Sequence, residues 1–325
     1  MKFARDISRW LSGGAALLGC TLAAYGQTYP ARAVRLVVPS SPGGGSDITA
    51  RIIAPRLSEY LGQQVIVDNR AGAGTMIGGE LVARAAPDGY TLLLGSTPMA
   101  INPAMYKKVS YDALRDFVPI TQIVSVPNLL IAHPSLPVKS VTELIAFAKS
   151  RPGQLTFASA GTGTSPHLSM ELFLGMAGLS MIHVPYKGAG PGVVDVVAGH
   201  VALMTPTIIS ALGYVRGGRL RALGVTSAKR AAGAPEIPTI AEAGVPGYEA
   251  TQWFGVLAPA GTPRDIVNLI QSEIGRVLQQ PDMKTRLSTD GADPVGSTPE
   301  EFAAFIRSET AKWAKVVKVA GVRID

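Results

Sequence analysis

A glycine-rich turn between a strand and a helix constrains this chain more than any other stretch. Val34-Arg35-Leu36-Val37-Val38 is an apolar, β-branched run, and residues 48–61 carry apolar side chains at helical spacing. Between them lies Pro39-Ser40-Ser41-Pro42-Gly43-Gly44-Gly45-Ser46-Asp47. Consecutive glycines put no Cβ in the way, so several backbone N–H groups can face one point. The start of the following helix adds unpaired donors and a partial positive charge. Such a turn holds an anion without a charged side chain. A second turn of the same build, Ala158-Ser159-Ala160-Gly161-Thr162-Gly163-Thr164-Ser165-Pro166-His167, follows Leu155-Thr156-Phe157 and opens a helix over 166–178. Two such turns, each on its own α/β half, predict a cleft that holds an anion between two lobes. No Gly-Lys-Ser/Thr ending follows the first turn, which excludes a nucleotide phosphate loop there.

The first residues predict secretion. Lys2, Arg5 and Arg9 precede an apolar, small-residue stretch over 11–24, then Ala24-Tyr25-Gly26. This reads as a signal peptide, residues 1–26, cleaved near Gly26, and sends the protein to the periplasm. The stretch is too short and glycine-rich for a comfortable membrane span. Leu17-Leu18-Gly19-Cys20 also resembles a lipoprotein cleavage box, so lipid anchoring at Cys20 and an uncleaved anchor stay open beside plain secretion. Cys20 is the single cysteine; a chain cleaved at Gly26 has no disulfide, thiolate metal site or thiol nucleophile. The about 300 residues that remain suffice for their own core and for two domains. Removing the signal takes the net charge from +7 to about +5. That excess suits an anionic ligand. The basic residues are dispersed and never interleave with aromatics, which argues against a nucleic-acid partner.

Strands and helices alternate along the rest. Gln64-Val65-Ile66-Val67-Asp68-Asn69 reads as a strand, Arg70-Ala71-Gly72-Ala73-Gly74 as another glycine-bearing turn, and Tyr90-Thr91-Leu92-Leu93-Leu94-Gly95 as a third strand. This pattern predicts an α/β protein with parallel sheets covered on both faces. A strand-like run over 117–133, broken near 125–127, is placed to carry the chain between lobes, and Leu220-Arg221-Ala222-Leu223-Gly224-Val225-Thr226 to bring it back. The expected division is 27–124 and 226–325 in the first lobe and 125–225 in the second. Trp253-Phe254 is expected in the core between strands, with contact to the cleft open beside it, and Phe302, Phe305, Ile306, Trp313, Val316 and Val317 form a core stripe on the last helix.

At this point the chain resembles the substrate-binding receptors of the tripartite tricarboxylate transporter family, also called Bug proteins. The matching stretches run in order: Val37-Val38-Pro39 with Pro42 to Asp47, Val67-Asp68-Asn69-Arg70 with Gly72-Ala73-Gly74, Ala86-Pro87-Asp88-Gly89-Tyr90, and Ser159-Ala160-Gly161 with Gly163-Thr164-Ser165 and His167. His183-Val184-Pro185-Tyr186-Lys187-Gly188, Leu220-Arg221-Ala222-Leu223 and Ala258-Pro259-Ala260-Gly261-Thr262-Pro263 complete them. The resemblance implies a two-lobed periplasmic-binding-protein fold of type II, closing on a small organic carboxylate, with no cofactor and no metal. It implies membrane transporter subunits as partners and a monomeric receptor. Carried over by position, Ser40, Gly43, Gly44, Gly45 and Ser46 would grip the ligand from the first lobe. Ser159, Gly161, Thr162, Gly163, Thr164 and Ser165, with Thr205, would grip it from the second.

Two departures bear on the ligand. Family members usually carry an aromatic where Ser40 stands, and often Phe-Asp where Thr205-Pro206-Thr207 stands. Without that Asp an amino-acid ligand has no ammonium partner, so dicarboxylates and aromatic acids both fit. Asp47 is expected to stabilise the first helical turn, and Ser165 to cap its helix with Pro166 at the first helical position. His167 and Glu171 share a helix face at i, i+4 without a third metal ligand nearby; His133, His183 and His200 read as structural. Tyr186-Lys187, after a strand end, reaches either the cleft or the surface. Two other functions stay open: a receptor that presents its ligand to a sensor, and a secreted hydrolase using Ser165 and His167. The hydrolase lacks a Gly-X-Ser-X-Gly elbow.

Overall fold

The structure, a computed structural model, describes residues 29–320; the expected signal peptide and the Cys20 lipidation site lie outside the described residues. Strand β1 (Val34–Val38) is buried along nearly its whole length, as a strand covered on both faces must be. Its chain turns into helix α1 (Gly45–Leu61), then β2 (Val65–Asn69), α2 (Met76–Ala83), β3 (Thr91–Ser96) and α3 (Pro98–Met105). Both β2 and β3 pair with β1 in parallel. The apolar run that follows is β4 (Phe117–Pro127), and it passes through Asn128 directly into β5 (Leu129–Ala132) of a second sheet.

The second lobe continues with α4 (Val141–Lys149), β6 (Thr156–Ser159), α5 (Ser165–Ala177), β7 (Ile182–Pro185), α6 (Ala189–Val197), β8 (Leu203–Met204), α7 (Ile208–Arg216) and β9 (Arg221–Val225). Its strand order is β7-β6-β8-β5-β9. The chain re-enters the first sheet with β10 (Thr251–Pro259), followed by α8 (Arg264–Gln279), α9 (Pro281–Thr289), β11 (Asp293–Pro294) and α10 (Pro299–Ala320). That sheet reads β11-β4-β10-β3-β1-β2. The α/β fold is therefore two-lobed, but neither sheet is wholly parallel. β10 runs antiparallel to β3 and β4, and β5 runs antiparallel to β8 and β9. The antiparallel strands include those that carry the chain between lobes, and a chain that crosses and returns must reverse direction.

The return differs from expectation. Arg221–Val225 is not a crossing, because it pairs with β5 inside the second sheet. Residues 226–250 add a bridge from Val225 to Thr239 and bury Ile240, Val245 and Tyr248 in the second core. The break in the long run falls at wholly buried Asn128, whose N–H donates to Thr226 Oγ1 at 2.7 Å. Trp253 and Phe254 are buried, as their composition demands.

Helix α10 straps the lobes together. Phe302 and Ile306 pack with Trp253 in the first lobe, while Trp313 and Val317 enter the second core. The Trp253 and Phe302 rings meet edge to face, 5.4 Å between centroids. Gly255 makes this possible: a Cβ there would run into the Phe302 ring and lie 2.8 Å from Thr121 O. Gly255→Ala should therefore cost about 1–3 kcal/mol by overpacking. The check is a urea midpoint that falls at constant slope; an unchanged midpoint would mean that the helix does not lean on this site.

Candidate functional site

The first glycine turn is held from behind. Asp47 is 3% exposed; its Oδ2 accepts the Gly43 N–H at 2.9 Å, and its Oδ1 accepts from Arg51 Nε and Asn69 Nδ2, both at 3.0 Å. Asp47 thus anchors the turn as well as the helix start. Gly43 takes the left-handed conformation, φ +80°, and Gly44 an ordinary φ of −83°. The first intrahelical bond runs from Ile48 N–H to Gly44 O. The N–H groups of Gly44, Gly45 and Ser46 precede it and have no helical acceptor. The Ser40 and Ser46 hydroxyls bond to each other beside them.

The second turn is built differently. Gly161 N–H donates to Ser159 Oγ at 3.1 Å, and Gly163 N–H to His167 Nδ1 at 3.3 Å. Thr164, not Ser165, occupies the cap position, and its hydroxyl donates back to Gly161 O at 2.6 Å. Pro166 therefore sits second in α5, after Ser165. Ser165 Oγ accepts from Asn128 Nδ2 at 2.9 Å. The first intrahelical bond runs from Leu168 N–H to Thr164 O, so the Ser165 and His167 N–H groups precede it without a helical acceptor.

These turns face one cleft of about 310 Å³. Ser40, Gly44, Gly45, Ser46, Gly161, Thr162, Thr164 and Ser165 line it. Gly43, Ser159, Gly163 and Thr205 do not. Gly43 and Gly163 have their N–H groups engaged by Asp47 and His167. Ser159 is wholly buried against His183, and Thr205 donates to Pro166 O at 2.7 Å beneath α5. Thr207, two residues on, reaches the cleft in place of Thr205. The lining also includes Gly72, Gly74 and Thr75, Ser96, Tyr106, Tyr186-Lys187-Gly188 and Gln252. The loop at 72–75 holds Ala73 and Thr75 at positive φ, 46° and 80°, rare for a side chain and rarer for a β-branched one. Lys187 is the sole charged side chain among the described lining residues.

Behind the second turn lies a pair of histidines that sequence spacing did not reveal. The His167 and His183 rings stack at 4.1 Å, and Phe157 stacks on His183. His183 Nε2 bonds Ser159 Oγ at 2.6 Å. Burial, with His183 adding to it, pushes the His167 imidazole down to about 3; burial alone pushes His183 down to about 4. Both are neutral supports. The Ser165–His167 pair is not assembled for catalysis: Ser165 Oγ is held by Asn128 and His167 Nδ1 by the Gly163 N–H. Glu171 stands 3.6 Å from His167 Nε2.

The family model for the tripartite tricarboxylate transporter family receptor matches residues 49–322. The chain belongs to that family. Protein BugT of Bordetella pertussis is 41% identical over 299 residues, covering 91% of this chain and 92% of BugT. The structure of R. palustris Rpa4515 with adipate superposes with a TM-score of 0.88 at 41% identity, covering 90% of this chain and 98% of that one. MatC from Rhodopseudomonas palustris with bound malate gives 0.85 at 33% identity, covering 89% and 100%. The family's structural neighbours are solute receptors, and the two-lobed fold is theirs.

In this receptor the lobes meet across the cleft mouth. Ser41 N–H donates to Lys187 O at 3.2 Å, its hydroxyl bonds the same oxygen, and Tyr106 OH donates to Thr162 O at 3.0 Å. Glycines permit the approach: a Cβ on Gly188 would lie 2.7 Å from Ser41 N, and one on Gly190 would strike Pro42 O. Gly190 is in α6, where alanine is the better helix former. Gly190→Ala should thus keep the thermal midpoint of the free protein but prop the mouth open, raising the radius of gyration in small-angle scattering. Identical scattering would show that the seam tolerates a methyl group.

The histidine pair sets an acid limit. Both imidazoles titrate in the native state well below 6.5, the ordinary value. The full stability is present above that value. As pH falls, the unfolded chain takes up protons that the native state refuses, and stability drops until the native groups titrate near 4 and 3. Each neutral imidazole contributes a slope of up to ~1.4 kcal/mol per pH unit in that window. Urea midpoints between pH 7 and about 5 should fall steadily, and His183→Asn should flatten the fall. An equal slope in the variant would remove His183 from this role.

Proposed function

We propose that this chain is an extracytoplasmic, monomeric receptor that captures a small organic carboxylate and delivers it to the membrane subunits of a tripartite tricarboxylate-type transporter. One observation carries this: two helix starts, whose leading N–H groups have no helical acceptor, line a single cleft whose described lining holds no acidic side chain. The donors assigned to the carboxylate are the N–H groups of Gly44, Gly45 and Ser46 from one lobe and Ser165 from the other. Hydroxyls of Thr162 and Thr207 flank them. The relatives solved with adipate and with malate support the class. Thr205-Pro206-Thr207 supplies no carboxylate to an ammonium, so the ligand needs no amine.

Calorimetry against monocarboxylates, dicarboxylates, amino acids and primary amides tests the class. Carboxylates should bind and amides should not; an amino acid that binds while simple carboxylates fail overturns the reading. Two variants test the grip. A Cβ on Gly44 would already lie 3.5 Å from Ala189 Cβ, so the further methyl groups of Gly44→Val block both the anion and the opposite lobe. The loss should be about 1.5–3 kcal/mol for each charge-assisted bond removed. Lys187→Ala should cost less, since Lys187 is exposed and its attraction is screened. The reverse ranking would seat the anion on side-chain charge.

A further inference from the structure

The cleft contains a polar side chain that the protein leaves without a partner. Gln252 lines the cleft and is 8% exposed. Its Oε1 is shielded from solvent and accepts no hydrogen bond. A carboxamide carries an acceptor at one end and a two-proton donor at the other, whichever way the ends are assigned. A buried polar group of this kind is normally paired, and leaving it unpaired is costly.

Sheet geometry says which part of a ligand Gln252 faces. Phe254 pairs with Ser96 across β10 and β3, and Gln252 stands two residues from Phe254. Side chains two apart share a face, so Gln252 and Ser96 project to the same side of the sheet. Ser96 ends β3, is 5% exposed and also lines the cleft. The strand order runs β10-β3-β1, and the anion turn follows β1. Gln252 therefore lies two strand spacings, roughly 9–10 Å, from the strand that leads into that turn. Lys187 belongs to the opposite end, where its carbonyl meets Ser41. At the Gln252 end the described lining is neutral.

We propose that Gln252, with Ser96 beside it, reads an uncharged hydrogen-bonding group at the far end of the ligand: a hydroxyl or a carboxamide on a monocarboxylate. Such a group can donate to Oε1 and accept from the amide nitrogen at once. A second carboxylate can only accept. It leaves Oε1 unpaired and brings a second negative charge to an end without a cation. This inference rests on the carboxylate reading of the glycine turns and narrows it.

The test is calorimetry on the purified protein with four ligands of one chain length: hexanoate, ω-hydroxyhexanoate, adipate monoamide and adipate. The hydroxy acid and the monoamide should bind about tenfold or more tighter than hexanoate and adipate. In Gln252→Met, which keeps the length and removes both polar ends, the ratio between ω-hydroxyhexanoate and hexanoate should fall to near one. Adipate binding as tightly as the hydroxy acid overturns the inference, as does a ratio that persists in Gln252→Met. Equal binding of all four removes this inference and leaves the carboxylate reading intact. Binding by none removes both. If Gln252→Met does not fold, the ranking on the natural protein decides the matter.

Discussion

Asp47 holds the first glycine turn in the shape that the rest of the cleft depends on. A buried carboxylate close to the proposed anion site is at first sight the wrong charge. It works because it faces backwards, taking the Gly43 N–H, Asn69 and Arg51. Three partners satisfy its oxygens, and the Arg51 guanidinium offsets its charge. With Gly43 drawn back, the N–H groups of Gly44, Gly45 and Ser46 precede the first intrahelical bond, on residues that line the cleft. The donor array is thus neutral in side chains and directional in backbone, which suits a planar anion better than a single ammonium would.

The second lobe reaches the same result without a buried charge. His167 takes the Gly163 N–H, and Ser159, itself bonded to His183, takes the Gly161 N–H. Two stacked, neutral imidazoles stand where Asp47 stands in the first lobe. A histidine of this pair that gains a proton loses its acceptor nitrogen.

Closure is decided by glycines at the seam between the lobes. Gly188 and Gly190 let α6 come against the Ser41-Pro42-Gly43 backbone, and Gly45 lies so near Thr207 that a Cβ would fall 2.9 Å from its Cβ. These contacts join lobes whose sheets share two continuous chain crossings, β4 to β5 and the return into β10. Helix α10 adds a third link, with Phe302 in one core and Trp313 in the other. Motion between lobes must bend all three.

Local structure followed from local sequence. The β-branched run before Pro39, the glycines after it and the helical spacing beyond it determined a strand, a turn and a helix with free N–H groups, and the same logic served at 155–178. The stripe on the last helix was readable for the same reason: 3.6-residue spacing needs no partner to be seen. Which N–H groups remain free was not readable. The acceptors that engage the others stand two to four positions away, Asp47 for Gly43, Ser159 for Gly161 and His167 for Gly163. The partners that fix the hydroxyls of the second turn, however, come from elsewhere in the chain. Asn128 reaches Ser165 across 37 positions, and His183 reaches Ser159 across 24. Thr205 and Thr207 look alike in sequence, yet one faces Pro166 and the other the cleft. Gln252 left one trace, a polar residue beside the buried run Trp253-Phe254-Gly255-Val256-Leu257. Its meaning depended on β10 lying next to β3, a neighbour about 155 residues earlier in the chain, and only the tertiary fold sets that pairing.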